Sequence, residues 1–222
     1  MQVNEGAAAP PTATTVLDRV VAVVDGHAIL ASDVDDEMRF AALQSGNNSP
    51  ADNLRTALNR VIDRALIDQQ RALQPGVDEV PAKEVDRGVA ALRSEIPACA
   101  ADQCQTDAEW QAVLAAHGFT ESEVRDRIRE RLAILRFIDL RFGVSVRVSN
   151  AAVQNYFDQV LKPELEKGKS AVPPIASVAP RIREILRQQQ VDAMVDQWLK
   201  SLHGEEQVRI LDSAYGNGES GQ

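Results

Sequence analysis

A chain of 222 residues that is 44% hydrophobic can bury one sizeable core, or one core with a helical extension. Aromatic residues make up only 4%, so that core must rest on Leu, Ile, Val and Ala. A formal net charge of −9 without any basic run excludes the basic face of a nucleic-acid binder. No apolar stretch approaches the roughly 18 residues of a membrane span, which excludes membrane insertion as a helix.

Residues 1–15 are small, polar and Pro-containing, and are expected to be a flexible arm. They have no basic start or apolar middle, so no signal peptide is expected there. That leaves a cytosolic protein or the mature part of an exported one. Arg19 to Asp25 is a short β-branched run ending in the turn signal Asp25-Gly26, with Ala28, Ile29 and Leu30 following. It predicts a β-hairpin or a strand with a tight turn. Ser32 is expected to cap the next helix, with Asp35 at the capping-box position and acidic residues in its first turn. The same acidic run does not make an EF-hand, because Met38 stands where the loop needs Gly.

Gln44 to Asn48 predicts a polar loop, and Ser49-Pro50 a helix start. The stripe of Leu54, Leu58, Val61, Ile62, Ala65, Leu66 and Leu73 predicts a helix of more than five turns, stopped at Pro75-Gly76. Pro81 begins another helix, with Val85, Val89 and Leu92 inward, that ends before Pro97. Thr106 with Glu109, and Thr120 with Glu123, are capping boxes. The first opens a short helix bearing Trp110, Val113 and Leu114, ended by Gly118. The second opens a longer one bearing Val124, Ile128, Leu132, Leu135 and Ile138, ended by Gly143. Val144 to Val148 reads as an extended linker or small strand.

Ser149 or Asn150 caps a helix through Val153, Tyr156, Phe157 and Val160. A loop is expected over Lys162 to Pro174, and a last helix from Ser177 to Leu202. Gln207 to Leu211 alternates apolar and polar as a second strand, and residues from Tyr215 onward are expected to be disordered. A lone strand leaves its backbone groups unpaired, so the two terminal strands are expected to pair with each other. The fold class is therefore mainly α, with a short β-strand near each terminus. The expected organisation is the arm at 1–15, the first strand and helical core at 16–148, residues 149–213 completing the same domain, and a tail at 214–222.

Cys99 and Cys104 are the only cysteines. Their spacing fits neither a zinc site nor a thioredoxin-type motif. They are either unrelated thiols or a local disulfide. The second reading is preferred, and it implies an oxidising compartment. His27, His117 and His203 are scattered over different elements, and no phosphate loop, dinucleotide fingerprint or nucleophile elbow occurs. No catalytic residue, cofactor or metal is expected. Met38, Phe40, Leu43, Trp110, Phe119, Phe137 and Trp198 are the large side chains that are either core or the lining of an apolar groove.

Five stretches resemble the non-isomerase part of the SurA-type periplasmic folding factors. Leu17 to Asp33 (LDRVVAVVDGHAILASD) is similar to the family's opening strand, turn and helix start. Leu58 to Gln70 (LNRVIDRALIDQQ) is similar to a helix of the family. At the end stand Ile182 to Gln190 (IREILRQQQ), Trp198 to Leu202 (WLKSL) and Val208 to Leu211 (VRIL). The family carries one or two parvulin prolyl isomerase domains before the last helix, each needing about 90–100 residues. Only the segment from Lys162 to Ala176 fills that place, so isomerase activity is not carried over. The resemblance implies a non-enzymatic helical chaperone domain, exposed to the periplasm or otherwise secreted, that holds unfolded outer-membrane-type polypeptides in an apolar groove. The competing expectation is an adaptor module for one folded partner in the cell envelope. Homo-oligomerisation is left open by the sequence.

Overall fold

The computed structural model describes residues 18–45, 53–74, 79–101, 104–205 and 208–215. The expected arm, the Ser49-Pro50 helix start, the Pro75-Gly76 stop and residues 216–222 of the expected tail lie outside them.

The β-branched run near the start forms β1 (Val20–Val24), which turns tightly into β2 (His27–Leu30). The turn needs positive φ at both central residues. Asp25 takes 44° and Gly26 takes 80°, the type I′ geometry that matches strand twist. Near the other end β3 (Val208–Ile210) pairs antiparallel with β1, placing Ala22 opposite Ile210 and Val24 opposite Val208. The order is β2-β1-β3, so the expected pairing of the terminal strands forms, with β1 in the centre. A register shift between Val20 and Ala22 accompanies burial of Val21 and Ala22 on consecutive positions, as a bulge allows.

Helix α1 (Ala31–Ser45) follows β2 without a loop. Ser32 is not its cap. Ala31 N–H donates to the Arg19 carbonyl at 2.8 Å, so strand pairing runs into the first turn. Asp33 Oδ2 instead accepts from Leu30 N–H at 2.8 Å, and the Ser32 hydroxyl donates to Asp18. Helix α2 (Leu54–Ala72) is capped by Asn53, whose Oδ1 accepts from Thr56 N–H at 2.9 Å, and not by Ser49. Next come α3 (Ala82–Glu95), the single turn α4 (Pro97–Ala100), α5 (Asp107–Ala116) and α6 (Glu121–Arg141). Both capping boxes close as the sequence predicts. Cys99 and Cys104 are disulfide-bonded. Arg93 donates to the Cys104 and Thr106 carbonyls and pairs with Asp107 at 3.3 Å, which ties this loop to α3.

A 3₁₀ turn at Gly143–Ser145 leads to α7 (Asn150–Tyr156), which passes through a π-helical turn at Phe157–Leu161 into α8 (Lys162–Lys167). The segment from Lys162 is therefore helical for six residues, not the expected loop. Val153 and Phe157, four apart and so on one helix face, are both buried. Helix α9 (Ile175–Glu205) is 31 residues long, about 46 Å at the helical rise.

Among the described residues four apolar clusters result. The sheet, α2 and the end of α9 enclose Val21, Val24, Leu58, Ile62, Leu66 and Leu202, and Tyr215 also inserts here at 3% exposure. That overturns the expected disorder at Tyr215: the turn at its residues returns the ring to the core. The second cluster joins α1, α3, α5 and α6 around Leu43, Leu92, Trp110, Phe119 and Ile128. The third is Ile67 with Phe137 against Trp198. The fourth, Val153, Phe157 and Ile182, belongs to α7 and the first half of α9. Leu135, expected inward on α6, is 48% exposed, because that helix turns its buried face to Ala133 and Phe137 instead.

Candidate binding groove

Helix α6 runs beside α1, α2 and α3, and a groove opens along it. Two cavities of about 210 and 190 Å³ adjoin there and share Gln44, Ile128 and Arg131 in their walls. The first is bordered by Phe40, Ile134 and Leu135 with Arg64, Arg127 and Glu130. The second is bordered by Gly88, Ala91, Leu92 and Leu132 with Glu95. Gly88 is what lets α3 approach α6, because a Cβ there would stand 2.5 Å from Ile128 Cγ2. A shallower depression of about 510 Å³ runs along the outer face of α1 past Met38, Arg39 and Ala42.

The floor of the first cavity is a charge hub. Glu37 is buried, and Arg60 Nε reaches its Oε1 at 3.0 Å. Arg64 and Arg127 both reach its Oε2, the latter at 3.4 Å. Burial pushes the Glu37 carboxyl up, but the Arg64 hydrogen bond and the charges of Arg64, Arg127 and Arg60 outweigh it and hold the group below its ordinary value. One carboxylate thus locks α1 to α2 and α6. Asp68 lies one turn along α2 from Arg64. Burial, with Glu130 opposite, pushes its carboxyl up to about 6 against the opposing pull of Arg71. Arg127 also caps an aromatic pair. It lies 4.9 Å from the Phe40 ring, which meets Phe119 edge-on at 5.8 Å.

Of the large apolar residues singled out in the sequence, Leu43, Trp110, Phe119 and Phe137 are core, each 5% exposed or less, and offer no surface to a ligand here. Phe40 is half-buried and borders the groove, and Met38 is half-buried along the outer face of α1. Trp198 lies elsewhere, between Phe137 and Phe142, with Arg141 4.8 Å over its ring. The seven therefore do not converge on one site. Sequence reasoning missed Glu37, Arg64, Arg127 and Arg131. The available signal was Arg60 and Arg64, four apart on the flank of the α2 stripe and so on one helix face. Among the described residues no group of three His, Cys, Asp or Glu could hold a metal, and no helix is long and apolar enough to cross a membrane.

The architecture is that of a mostly helical module, closed by strands from both ends of the chain and carrying a half-open groove with apolar and charged walls. The SurA N-terminal domain profile matches residues 17–138, and the chain belongs to that family. It is 27% identical over 149 residues to the chaperone SurA of Alcanivorax borkumensis, covering 66% of this chain and 33% of the relative. It is 26% identical over 144 residues to that of Chromohalobacter salexigens, covering 64% and 32%. Against the Yersinia pestis chaperone SurA it is 29% identical over 122 residues, covering 52% and 26%. The chain spans about a third of the length of the first two relatives.

Proposed function

We propose that the protein is a holding chaperone of the periplasm, which binds unfolded outer-membrane-type polypeptides along the α6 groove without isomerising prolines. The observation that carries the reading is membership of a family whose matched relatives are named chaperones. The groove supports it chemically. Unfolded chains are caught by covering apolar surface, worth about 25 cal/mol per Å², and Phe40, Ile134, Leu132 and Leu135 supply such surface beside polar groups. Met38 extends it around α1. Between α6 and α9 stand only the 3₁₀ turn, α7, the π turn and α8, where the resemblance would seat an isomerase domain. Formation of the Cys99–Cys104 bridge in the cell belongs to the same proposal, since it needs an oxidising compartment.

The test is suppression of aggregation of an unfolded outer-membrane protein, beside an unrelated unfolded protein, with proline isomerisation followed in parallel. The protein retards aggregation at tens of micromolar, an order-of-magnitude ceiling for useful holding, and leaves the isomerisation rate unchanged. Retardation absent for both clients overturns the reading in favour of an adaptor for a folded partner.

A further inference from the structure

Arg131 stands in the wall shared by the two adjoining cavities, on the exposed side of α6. The other cations of the first cavity are committed, because Arg64 and Arg127 both bind Glu37. Among the described residues the Arg131 guanidinium has no hydrogen bond or ion pair. Among the described residues no carboxylate of the two walls pairs with it. Glu37 is held by three arginines, while Glu130 borders the first cavity and Glu95 the second. The two cavities together carry three arginines and three glutamates, in a chain whose net charge is −9. Apolar side chains flank the unpaired cation on both sides, Ile134 and Leu135 in one cavity and Leu92 and Leu132 in the other.

We propose that the groove selects internal segments of unfolded polypeptide in which an acidic side chain lies among apolar ones, with the carboxylate seated on Arg131 and apolar neighbours in the two cavities. This rests on the holding function proposed above. A planar guanidinium accepts a carboxylate with two parallel hydrogen bonds, and the apolar walls raise the strength of the contact by excluding water. Two half-open cavities joined through Arg131 suit a segment that runs through more than a chain end.

The test uses three short N-acetylated peptides of Leu, Val and Ser, read by fluorescence anisotropy. One has a central Glu and an amidated end. The second has Gln in its place, and the third combines the central Gln with a free terminal carboxylate. The native protein binds the Glu peptide about three- to fivefold more tightly than its Gln twin, the range for a part-exposed ion pair, and the preference fades in high salt. Arg131→Gln binds both peptides as the native protein binds the Gln one, with an unchanged circular dichroism spectrum, and Arg131→Lys restores part of the preference. Equal binding by the native protein, a preference that survives in R131Q, or selection of the free terminal carboxylate overturns the proposal. If the preference is missing while aggregation is still suppressed, the anchor fails and the holding function stands. If both are missing, both fail.

Discussion

Glu37 shows how one carboxylate can fix three helices. Its partners Arg60, Arg64 and Arg127 keep 20–36% of their side-chain surface exposed while Glu37 keeps 9%. Removing the acid therefore leaves cations facing one another at a half-dry site. Glu37→Gln is expected to cost about 2 kcal/mol, below the 3–5 of a fully buried pair because solvent screens the arginines. A lower urea midpoint with an unchanged slope checks it. The Glu37 carboxyl is depressed below 4.5, so the native protein's advantage is fully present above that pH and is lost as pH falls through the folded value. Asp68 carries the opposite sign. Its carboxyl is raised from 3.8 to about 6, so the fold binds the proton more tightly than the unfolded chain does. The resulting penalty builds as pH rises from about 4 to 6 and stays constant above. Asp68→Asn is expected to stabilise the protein by about 1 kcal/mol at pH 7.5, discounted for a side chain one third exposed, and to have no effect near pH 3. Urea titrations at the two pH values decide it.

Helix α9 serves two packing clusters at once. Its C-terminal half brings Trp198, Leu199 and Leu202 onto α2, α6 and the sheet. His203 Nε2 is 2.7 Å from Asp63 Oδ1 at the same end. Its first half carries Ile182 onto Val153 and Phe157, a cluster separate from the others. Few contacts therefore tie α7 to the sheet and α1–α6, and local opening there is cheaper than global unfolding. Phe157→Ala, a large buried deletion of about 3–5 kcal/mol at its own site, is expected to speed amide exchange across residues 150–190. Exchange in β1, α2 and α6 stays unchanged. Equal acceleration in both regions contradicts this division.

At the scale of the molecule the C-terminal segment closes the first core. β3 covers one edge of β1, Leu211 N–H donates to the Val21 carbonyl at 2.8 Å, and Tyr215 fills the space beside Leu202. Truncation from Gly204 onward uncovers that edge and removes the ring. A loss of about 3 kcal/mol or more is expected, which lowers the melting temperature by roughly 6–12 °C for a chain of this size. Tyr215→Ala in the full chain takes a share of the same loss. An unchanged melting temperature in the truncated chain would mean that β3 and Tyr215 contribute nothing. Reducing the Cys99–Cys104 bridge is expected to matter less. The loop it closes is far shorter than the 15 residues worth about 3 kcal/mol, and Arg93 still binds the Cys104 and Thr106 carbonyls.

The local signals in the sequence were sufficient wherever a few neighbouring residues complete an interaction among themselves. Thr106 with Glu109, Thr120 with Glu123 and the Asp25-Gly26 turn each satisfy their own backbone groups, and each forms as read. The pairing of β1 with β3 was legible for a different reason: a strand in a helical chain must find a partner. What neighbours in sequence could not decide was set by packing. The cap of α1 passed from Ser32 to Asp33 and Asp18 because β2 feeds directly into the helix. Tyr215 left the expected tail because a turn returned it to a core built by residues 13 to 194 positions earlier. The groove belongs wholly to tertiary structure. Phe40, Gly88 and Arg131 come from three helices, and burial at close-packed density is decided between elements, not along one. The sequence names large apolar residues equally, and only the approach of α3 and α1 to α6 divides Phe40 at the groove from Leu43, Trp110 and Phe119 beneath it.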